Sequence, residues 1–224
     1  MEPLQFIRSL QLTDSFFPVG AFAYSEGLET AASGGRVYDT ESLGAWMKHF
    51  LDGVFVPCEG LALVKCMSAL EAGDLDTLRG IDEELTCIRP SLAVRAASAG
   101  IGKRLLSLFA TIYDAQTSID SLALPYGNAA VAYAAVFHHS GLDEREAALA
   151  FGYNRLTGIV SAGLRLISIG QKQGQALLTK NLDRLPAAVD RILQMKEAPL
   201  RSFNPLLDIE QMNHQYVYSR LFRS

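Results

Sequence analysis

The sequence predicts an all-α fold in which a single domain, residues 1–224, contains about nine or ten packed helices. Apolar side chains recur at α-helical spacing through most of the chain, whereas an alternation of apolar and polar residues is nowhere sustained. Helix-start and helix-stop residues lie at the borders of these periodic segments. The length of 224 residues is that of one domain of ordinary size.

The first half of the chain carries three well-marked helices. Asp39 precedes a periodic segment that includes Leu43, and its short polar side chain suits an N-cap. A second helix is predicted to begin at the cap Asp74 and to end before Pro90, because proline lacks an N–H group and clashes with the preceding turn. Residues 95–113 form the third predicted helix.

The second half contains further helices with equally clear signals. Asp143 and Glu146 have the spacing of a capping box, and the helix that they begin continues beyond Gly163. Apolar residues between 182 and 192 again recur at helical spacing. The stretch 121–142 has no Asp, Glu, Lys or Arg, but a proline and a glycine interrupt it. Its apolar core is too short for a membrane span and predicts a buried helix.

The charge balance excludes several classes of partner. The 20 Lys and Arg against 24 Asp and Glu give a formal net charge of −4, which predicts neither a nucleic-acid surface nor a membrane surface. Cys58, Cys66 and Cys87 have neither disulfide nor zinc spacing, so we expect reduced and buried thiols. Because the N-terminus has no convincing targeting segment, we expect a cytoplasmic protein.

Candidate phosphate and metal sites are weak. The stretch GIGKR at 100–104 departs from a phosphate-binding loop, because Arg104 stands where Ser or Thr would hold magnesium and no strand precedes it. We expect its glycines to permit close helix packing and Lys103 to be solvated. Glu210 and His214 could share a helix face, either as an ordinary surface pair or as a weak, exposed metal site.

Catalytic side chains are equally hard to find. The four histidines form no recognisable arrangement with a serine or cysteine, so the chain is not expected to be an enzyme. Arg155 and Arg165 are the only charged residues between Glu146 and Lys172. Each must pair with an acid, extend to solvent or face a polar interface.

Both ends of the chain are rich in large apolar side chains. The stretch LQLTDSFFPVGAFAYSEGLETAA at 10–32 is interrupted by Pro18 and Gly20, so its aromatic side chains either fill the core or belong to a shaped surface. Chain ends are usually polar and frayed, yet this one carries tyrosines, a leucine and a phenylalanine within its last nine residues. Residues 199–224 therefore either dock on the domain or await a partner.

Three stretches together resemble the urease accessory protein F (UreF) family. They are LQLTDSFFPVGAFAYSEGLETA at 10–31, NRLTGIVSAGLRLISIGQKQGQ at 154–175 and NPLLDIEQMNHQYVYSRLFRS at 204–224. Their order and spacing also agree with the family, so the resemblance covers nearly the entire chain. Local departures are Tyr153, where many relatives have tryptophan, and a less polar stretch RAASAGIGKRLL.

The resemblance implies a non-enzymatic assembly factor of all-α fold, usually a homodimer. Such a protein joins UreD, also called UreH, and the GTPase UreG to load nickel into the urease apoprotein. The partners handle the nickel, so neither a tightly bound cofactor nor a metal ligand is implied. Family members have been proposed to modulate the GTPase activity of UreG, and a purely architectural role is equally consistent with the sequence.

The resemblance also implies which residues meet partners. Pro18 and Gly20 would bend the N-terminal stretch so that its three phenylalanines anchor in the domain while its polar residues face outward. As exposed acids, Glu26 and Glu29 are expected to tolerate replacement by lysine without loss of stability. Residues 199–224 are expected to form a partner-binding tail. The candidate partner-binding residues are Asp14, Tyr24, Ser25, Glu26, Glu29, Gln171, Gln175, Tyr216, Tyr218, Arg220, Leu221 and Phe222.

Two other classes of function stay open on the sequence alone. One is a ligand-sensing all-α regulator or another helical adaptor, and the other is an enzyme with an unfamiliar helical site. A DNA-binding domain at the N-terminus is disfavoured, because residues 1–50 contain six acidic residues and only three basic ones, Arg8, Arg36 and Lys48.

Overall fold

Every regular element of the described chain is a helix. The computed structural model describes residues 2–223, and this part of the chain contains twelve α-helical segments and no strand. The segments are α1 (Pro3–Thr13), α2 (Leu28–Ser33), α3 (Thr40–Phe50), α4 (Gly60–Glu71), α5 (Leu75–Cys87), α6 (Leu92–Ile112), α7 (Gln116–Leu122), α8 (Ala129–His139), α9 (Glu144–Leu166), α10 (Gln171–Leu182), α11 (Leu185–Gln194) and α12 (Pro205–Asn213). Because α3 and α4 form one continuous helix and α2 is very short, the twelve segments amount to ten longer helices. The all-α prediction is confirmed.

The predicted helix starts are present with their caps. The Asp74 carboxylate accepts the Thr77 N–H of α5 at 3.0 Å. At α9 the capping box is complete: Asp143 accepts the Glu146 N–H at 2.7 Å, and the Glu146 carboxylate accepts the Asp143 N–H at 3.0 Å. Asp39 caps α3 in the same way. These starts are correct because capping depends on residues close together in sequence.

A π-helical segment, Leu51–Glu59, joins α3 to α4 in one continuous helix of 32 residues. Its wider turns are shown by the Gly60 N–H, which bonds to the Phe55 carbonyl five residues earlier. This continuous helix is long and apolar enough to cross a membrane, with a mean hydropathy of 1.5 over its most apolar window. Because 67% of that window is buried inside the domain, it resembles the central helix of a soluble protein.

The core lies around α8, which is enclosed by α4, α6 and α9. The prediction of a buried helix within 121–142 is confirmed for Ala129–His139, where eight of eleven residues are buried. The Tyr133 ring lies 5.2 Å from that of Phe151 on α9, which in turn lies 6.1 Å from Phe55 of the π-helical segment. Such offset aromatic contacts add to the free energy of burial.

The loop that precedes α8 is held from two sides. The buried Asp82 carboxylate accepts three successive backbone N–H groups that end at Asn128, each at 2.8 Å. On the other side, a Cβ at Gly102 would lie only 2.0 Å from the Gly127 carbonyl oxygen. Lys103 is exposed. Gly102 of GIGKR therefore permits close packing against this loop, as predicted.

Candidate functional site

The N-terminal segment (residues 14–29) and the tail (residues 199–223) meet on one side of the domain. The Arg223 N–H donates to the Ala23 carbonyl at 2.8 Å, and the short helix α2 packs against α12. The two most distinctive stretches of the sequence therefore form one continuous surface.

Left-handed backbone conformations shape the N-terminal segment. Gly20 has φ of 79° and Gly27 has φ of 93°, which glycine adopts without steric cost. Glu26 also has a positive φ of 52°, a conformation that is uncommon outside glycine. A Cβ at Gly27 would lie 3.1 Å from the Gln211 backbone nitrogen, so the tail approaches the segment closely at this point.

The phenylalanines of the segment do not all anchor it. Phe17 is buried, but Phe16 is 92% exposed and Phe22 is 61% exposed, so the expectation was wrong for two of the three. The cause is a tight turn after α1 in which Asp14 accepts the Phe16 N–H through its carboxylate and the Phe17 N–H through its carbonyl. This turn directs the two adjacent rings to opposite sides.

Glu29 is buried in the isolated chain, and the expectation that it is exposed was wrong. It is 4% exposed, and its carboxylate accepts the His214 Nε2–H at 2.7 Å and the backbone N–H groups of Leu221 and Phe222 at 2.5 and 3.2 Å. Ser25 is also buried, and its hydroxyl accepts the Glu29 N–H at 3.4 Å. Both side chains face inward because the tail covers them.

Glu26 belongs to a chain of partly buried ion pairs. It pairs with Arg155, whose Nε also donates to Glu59 at 2.9 Å, and Glu59 accepts from Arg89 at 2.7 Å. Burial alone would raise the pKa of Glu26, but the adjacent Arg155 guanidinium outweighs burial and lowers it. Glu26 is thus a structural counter-ion, and the expectation that it is a free exposed acid was wrong. Arg155 pairs with acids, one of the three predicted options.

Arg165 instead lies between aromatic rings, an arrangement that was not among the three predicted options. Its guanidinium carbon lies 3.6 Å from the Phe22 ring centroid and 4.1 Å from that of Phe222, and it donates to the Phe22 carbonyl at 2.9 Å. Cation–π contacts of this kind stabilise both rings. Arg165 therefore joins the N-terminal segment to the tail.

Glu210 and His214 form neither a surface pair nor a metal site. Both are buried, Glu210 pairs with Arg36, and His214 binds Glu29. The expectation of exposure was wrong because α12 turns these polar residues toward α2. Among residues 2–223, no group of three or more His, Cys, Asp and Glu side chains could hold a metal ion.

The remaining candidates differ in accessibility. Tyr216 is 76% exposed, Tyr218 is fully exposed and Leu221 is 61% exposed, whereas Phe222 is 4% exposed. The tail is therefore docked at its end, although much of its apolar surface stays in solvent. Tyr24 is partly buried. The other candidates, all exposed, are Asp14, Gln171, Gln175 and Arg220.

A cavity of about 410 Å³ lies between the N-terminal segment, α9 and α12. Sequence reasoning missed Glu59 and Arg89, which line it, although pairing with an acid was one of the three options for the isolated Arg155. Cys58 also lines the cavity, and burial raises the pKa of its thiol to about 11, which disfavours the thiolate that binds metals. Cys66 is buried too, while Cys87 is exposed, contrary to expectation.

Comparison with known sequences finds a family model and named relatives. The family model UreF matches residues 37–181. The urease accessory protein UreF of Trichormus variabilis is 33% identical over 222 residues, which cover 98% of this chain and 96% of the relative. Proteins of the same name from Lachnoclostridium phytofermentans and Methylobacillus flagellatus are 31% and 32% identical over 97% of this chain and 98% and 97% of their own. This chain therefore belongs to the UreF family of urease accessory proteins, which assist the maturation of an enzyme without being enzymes themselves.

Proposed function

We propose that this protein is an adaptor in urease maturation, which joins UreD (UreH) and the GTPase UreG while nickel is delivered to the urease apoprotein. The single observation that carries the proposal is the family match over nearly the whole chain. The resemblance supplies the identity of the partners, and the composite surface of the N-terminal segment and the tail supplies a place to bind one of them.

The composite surface has the composition of a protein interface. Phe16, Tyr216, Tyr218 and Leu221 are all more than half exposed, and large side chains of this kind are costly to leave in water. Aromatic residues bordered by polar groups concentrate binding energy at interfaces. We assign this surface to UreD, on the basis of the family resemblance.

Arg155 and Arg165 favour an architectural role over direct action on the partner GTPase. An arginine that stabilises a phosphoryl transition state must reach the nucleotide of the partner. Arg155 is engaged by two glutamates, and Arg165 lies between two phenylalanine rings. Neither is available to extend into another protein while these contacts persist.

The proposal extends to cofactors, assembly and location. We assign nickel chemistry to the partners and no tightly bound cofactor to this chain, which agrees with charges in the cavity that neutralise one another. We base the homodimer on the family resemblance. We base the cytoplasmic location on the same resemblance and on the three cysteines, which have no disulfide spacing.

The test is co-expression of this protein with UreD, UreG and urease, followed by size-exclusion chromatography and measurement of urease nickel content. Replacing both Tyr216 and Tyr218 with alanine should preserve the melting temperature and abolish co-elution with UreD, because both rings are exposed in the isolated chain. Tyr38→Ala is the matched control, since Tyr38 is 66% exposed and lies at the start of α3.

Deletion of residues 215–224 would be a less specific experiment. It removes the buried Phe222 ring together with the exposed tyrosines and leaves the Glu29 carboxylate with fewer donors. If the double tyrosine variant still co-elutes with UreD and supports full nickel loading, the tail is not the binding surface that we propose.

A further inference from the structure

We infer that α5 holds the core helix α8 in position through a pair of opposite charges, Arg79 at the carboxyl end of α7 and Asp82 at the amino end of α8. The two residues lie three positions apart and therefore on the same face of α5. Together they bind both sides of the α7–α8 junction, residues 121–129. This role belongs to the domain itself and is independent of the proposed adaptor function.

The α7–α8 junction has little local capping of its own in the described part of the chain. Asn128 is the N-cap of α8, but its side chain makes no capping bond to that helix and instead donates to Asp82 at 2.8 Å. Ala123 ends α7 with φ of 48°, a left-handed conformation that glycine usually occupies. The N–H groups and carbonyls that helix ends leave unpaired must therefore find partners in other elements.

Side chains of two other helices bind the amino end of α8. The Asp82 carboxylate accepts the successive backbone N–H groups of residues 126–128, and the Ser98 hydroxyl of α6 accepts the next one, from Ala129, at 3.1 Å. Both acceptors are buried, so water competes poorly for these bonds. The negative charge of Asp82 also matches the positive end of the α8 dipole.

The Arg79 guanidinium binds the carboxyl end of α7. Its Nε donates to the Leu122 carbonyl at 3.0 Å and its Nη2 donates to the Ser121 carbonyl at 3.4 Å. Its Nη1 donates to Asp76, one turn earlier on α5, at 3.0 Å, which orients the guanidinium. A positive charge at this point matches the negative end of α7, so the two charges of α5 complement the two helix ends that meet at the junction.

The consequence is a fixed position for a helix that apolar packing alone would hold loosely. α8 contains no Asp, Glu, Lys or Arg and is buried on most of its circumference, so apolar contacts do not specify its position along its own axis. Hydrogen bonds are directional, and those to Asp82 and Ser98 supply the missing specification. Asp82 is therefore a positioning residue, and α5, the junction and the first turn of α8 open as one cooperative unit.

Amide hydrogen exchange on the full-length protein tests this unit. Asp82→Asn keeps the shape of the side chain and removes its charge, so the amides of residues 126–128 should exchange at least about tenfold faster, because a hydrogen bond to a charged acceptor contributes at least that factor. The amides of α10 should keep their protection, since α10 packs mainly against α9 and α3. Glu83→Gln, at the exposed neighbour of Asp82, is the matched control and should change neither set.

Arg79→Gln distinguishes a paired action from a local one. Arg79 bonds only to the carbonyls on the α7 side of the junction, yet its loss should speed exchange of the amides of residues 126–128 about threefold, because the junction opens as a unit. In the variant that carries both substitutions, exchange should accelerate by less than the product of the two single effects, since the first loss already releases part of what the second would.

Arg79→Gln also decides the matter if Asp82→Asn does not fold, because the Arg79 side chain is one-third exposed and its removal leaves no buried charge unpaired. We would abandon the inference if Arg79→Gln, or a folded Asp82→Asn, left the amides of residues 126–128 unchanged. Effects of the two substitutions that multiply in full would equally overturn it, as would amides of residues 126–128 that already exchange in the unaltered protein at the rate of an unstructured peptide.

Discussion

At the scale of the residue, Glu26 is a carboxylate that the sequence predicted to be exposed and that the fold pairs with the partly buried Arg155. Its partner Arg155 is held between two glutamates and against the Phe50 ring, with the guanidinium carbon 5.1 Å from the ring centroid. A buried arginine that loses one of its acids retains the cost of desolvation without the compensating charge. The pair is therefore more important to the folded state than an exposed salt bridge would be.

We expect Glu26→Gln to lower the free energy of unfolding by about 3 kcal/mol at neutral pH. The pKa of Glu26 is lowered from its usual 4.5 in the folded protein, so its contribution is present above that pH and is lost as the pH falls through the folded-state pKa. The difference between Glu26→Gln and the unaltered protein should therefore shrink as the pH falls below 4.5. Urea denaturation across this range measures it.

The control for this prediction is Glu41→Gln, which alters an exposed acid and should change the free energy of unfolding by less than about 0.5 kcal/mol. A difference between Glu26→Gln and the unaltered protein that stays constant from neutral to acidic pH would contradict the assigned role of the carboxylate.

At the scale of the element, the two glycines of GIGKR occupy very different surroundings on one helix. A Cβ at Gly102 would clash with the backbone of the loop before α8, at 2.0 Å from the Gly127 carbonyl oxygen. A Cβ at Gly100 would meet only the Tyr24 hydroxyl, at 3.8 Å. Gly102 permits a close approach of two backbones, and Gly100 is replaceable.

We predict that Gly102→Ala lowers the free energy of unfolding by about 3 kcal/mol, because the loop that Asp82 holds cannot retreat without breaking its hydrogen bonds. Gly100→Ala should be neutral or stabilising by up to about 1 kcal/mol, since alanine favours the helix. Chemical denaturation of both variants provides the comparison. Equal effects of the two substitutions would show that packing at Gly102 does not limit stability.

Helix boundaries were predictable where the signal is local. The caps at Asp39, Asp74 and Asp143 each act on residues three positions away. The contact between Glu29 and His214 joins residues 185 positions apart, and no local pattern distinguishes a glutamate that will be covered by a distant tail from one left in water. The exposure of Glu29 and Glu210 was therefore mispredicted, whereas the isolation of Arg155 in the sequence allowed an acidic partner as one of three options.

At the scale of the whole molecule, the charged groups beside the cavity and beneath the tail pair with one another. Glu26, Glu59, Arg89 and Arg155 neutralise one another beside the cavity, and His214 is bound to Glu29. A metal ion would have to displace an arginine or a histidine from a buried carboxylate, which costs the binding energy of the existing pair.

We therefore predict that the isolated protein binds no nickel tightly and in stoichiometric amount, and that it does not hydrolyse GTP, because phosphate-loop and metal-ligand motifs are missing from its sequence. Isothermal titration calorimetry with Ni²⁺ and a phosphate-release assay measure the two properties. A submicromolar nickel site within one chain, or sustained GTP turnover by the pure protein, would contradict the prediction.

The π-helical segment makes the relative orientation of α3 and α4 depend on the number of residues between them. Each residue of an α-helix turns the following side chain by about 100° around the axis. The wider turns of Leu51–Glu59 contain more residues per turn and so accommodate extra residues without a loop. This segment also contacts the part of the chain that leads to α12, because the Arg201 N–H donates to the Pro57 carbonyl at 3.0 Å. If the π-helical turns kept their width, loss of a single residue here would rotate the apolar face of α4 away from α8, so this stretch constrains the length of the chain as well as the buried side chains Phe55 and Glu59.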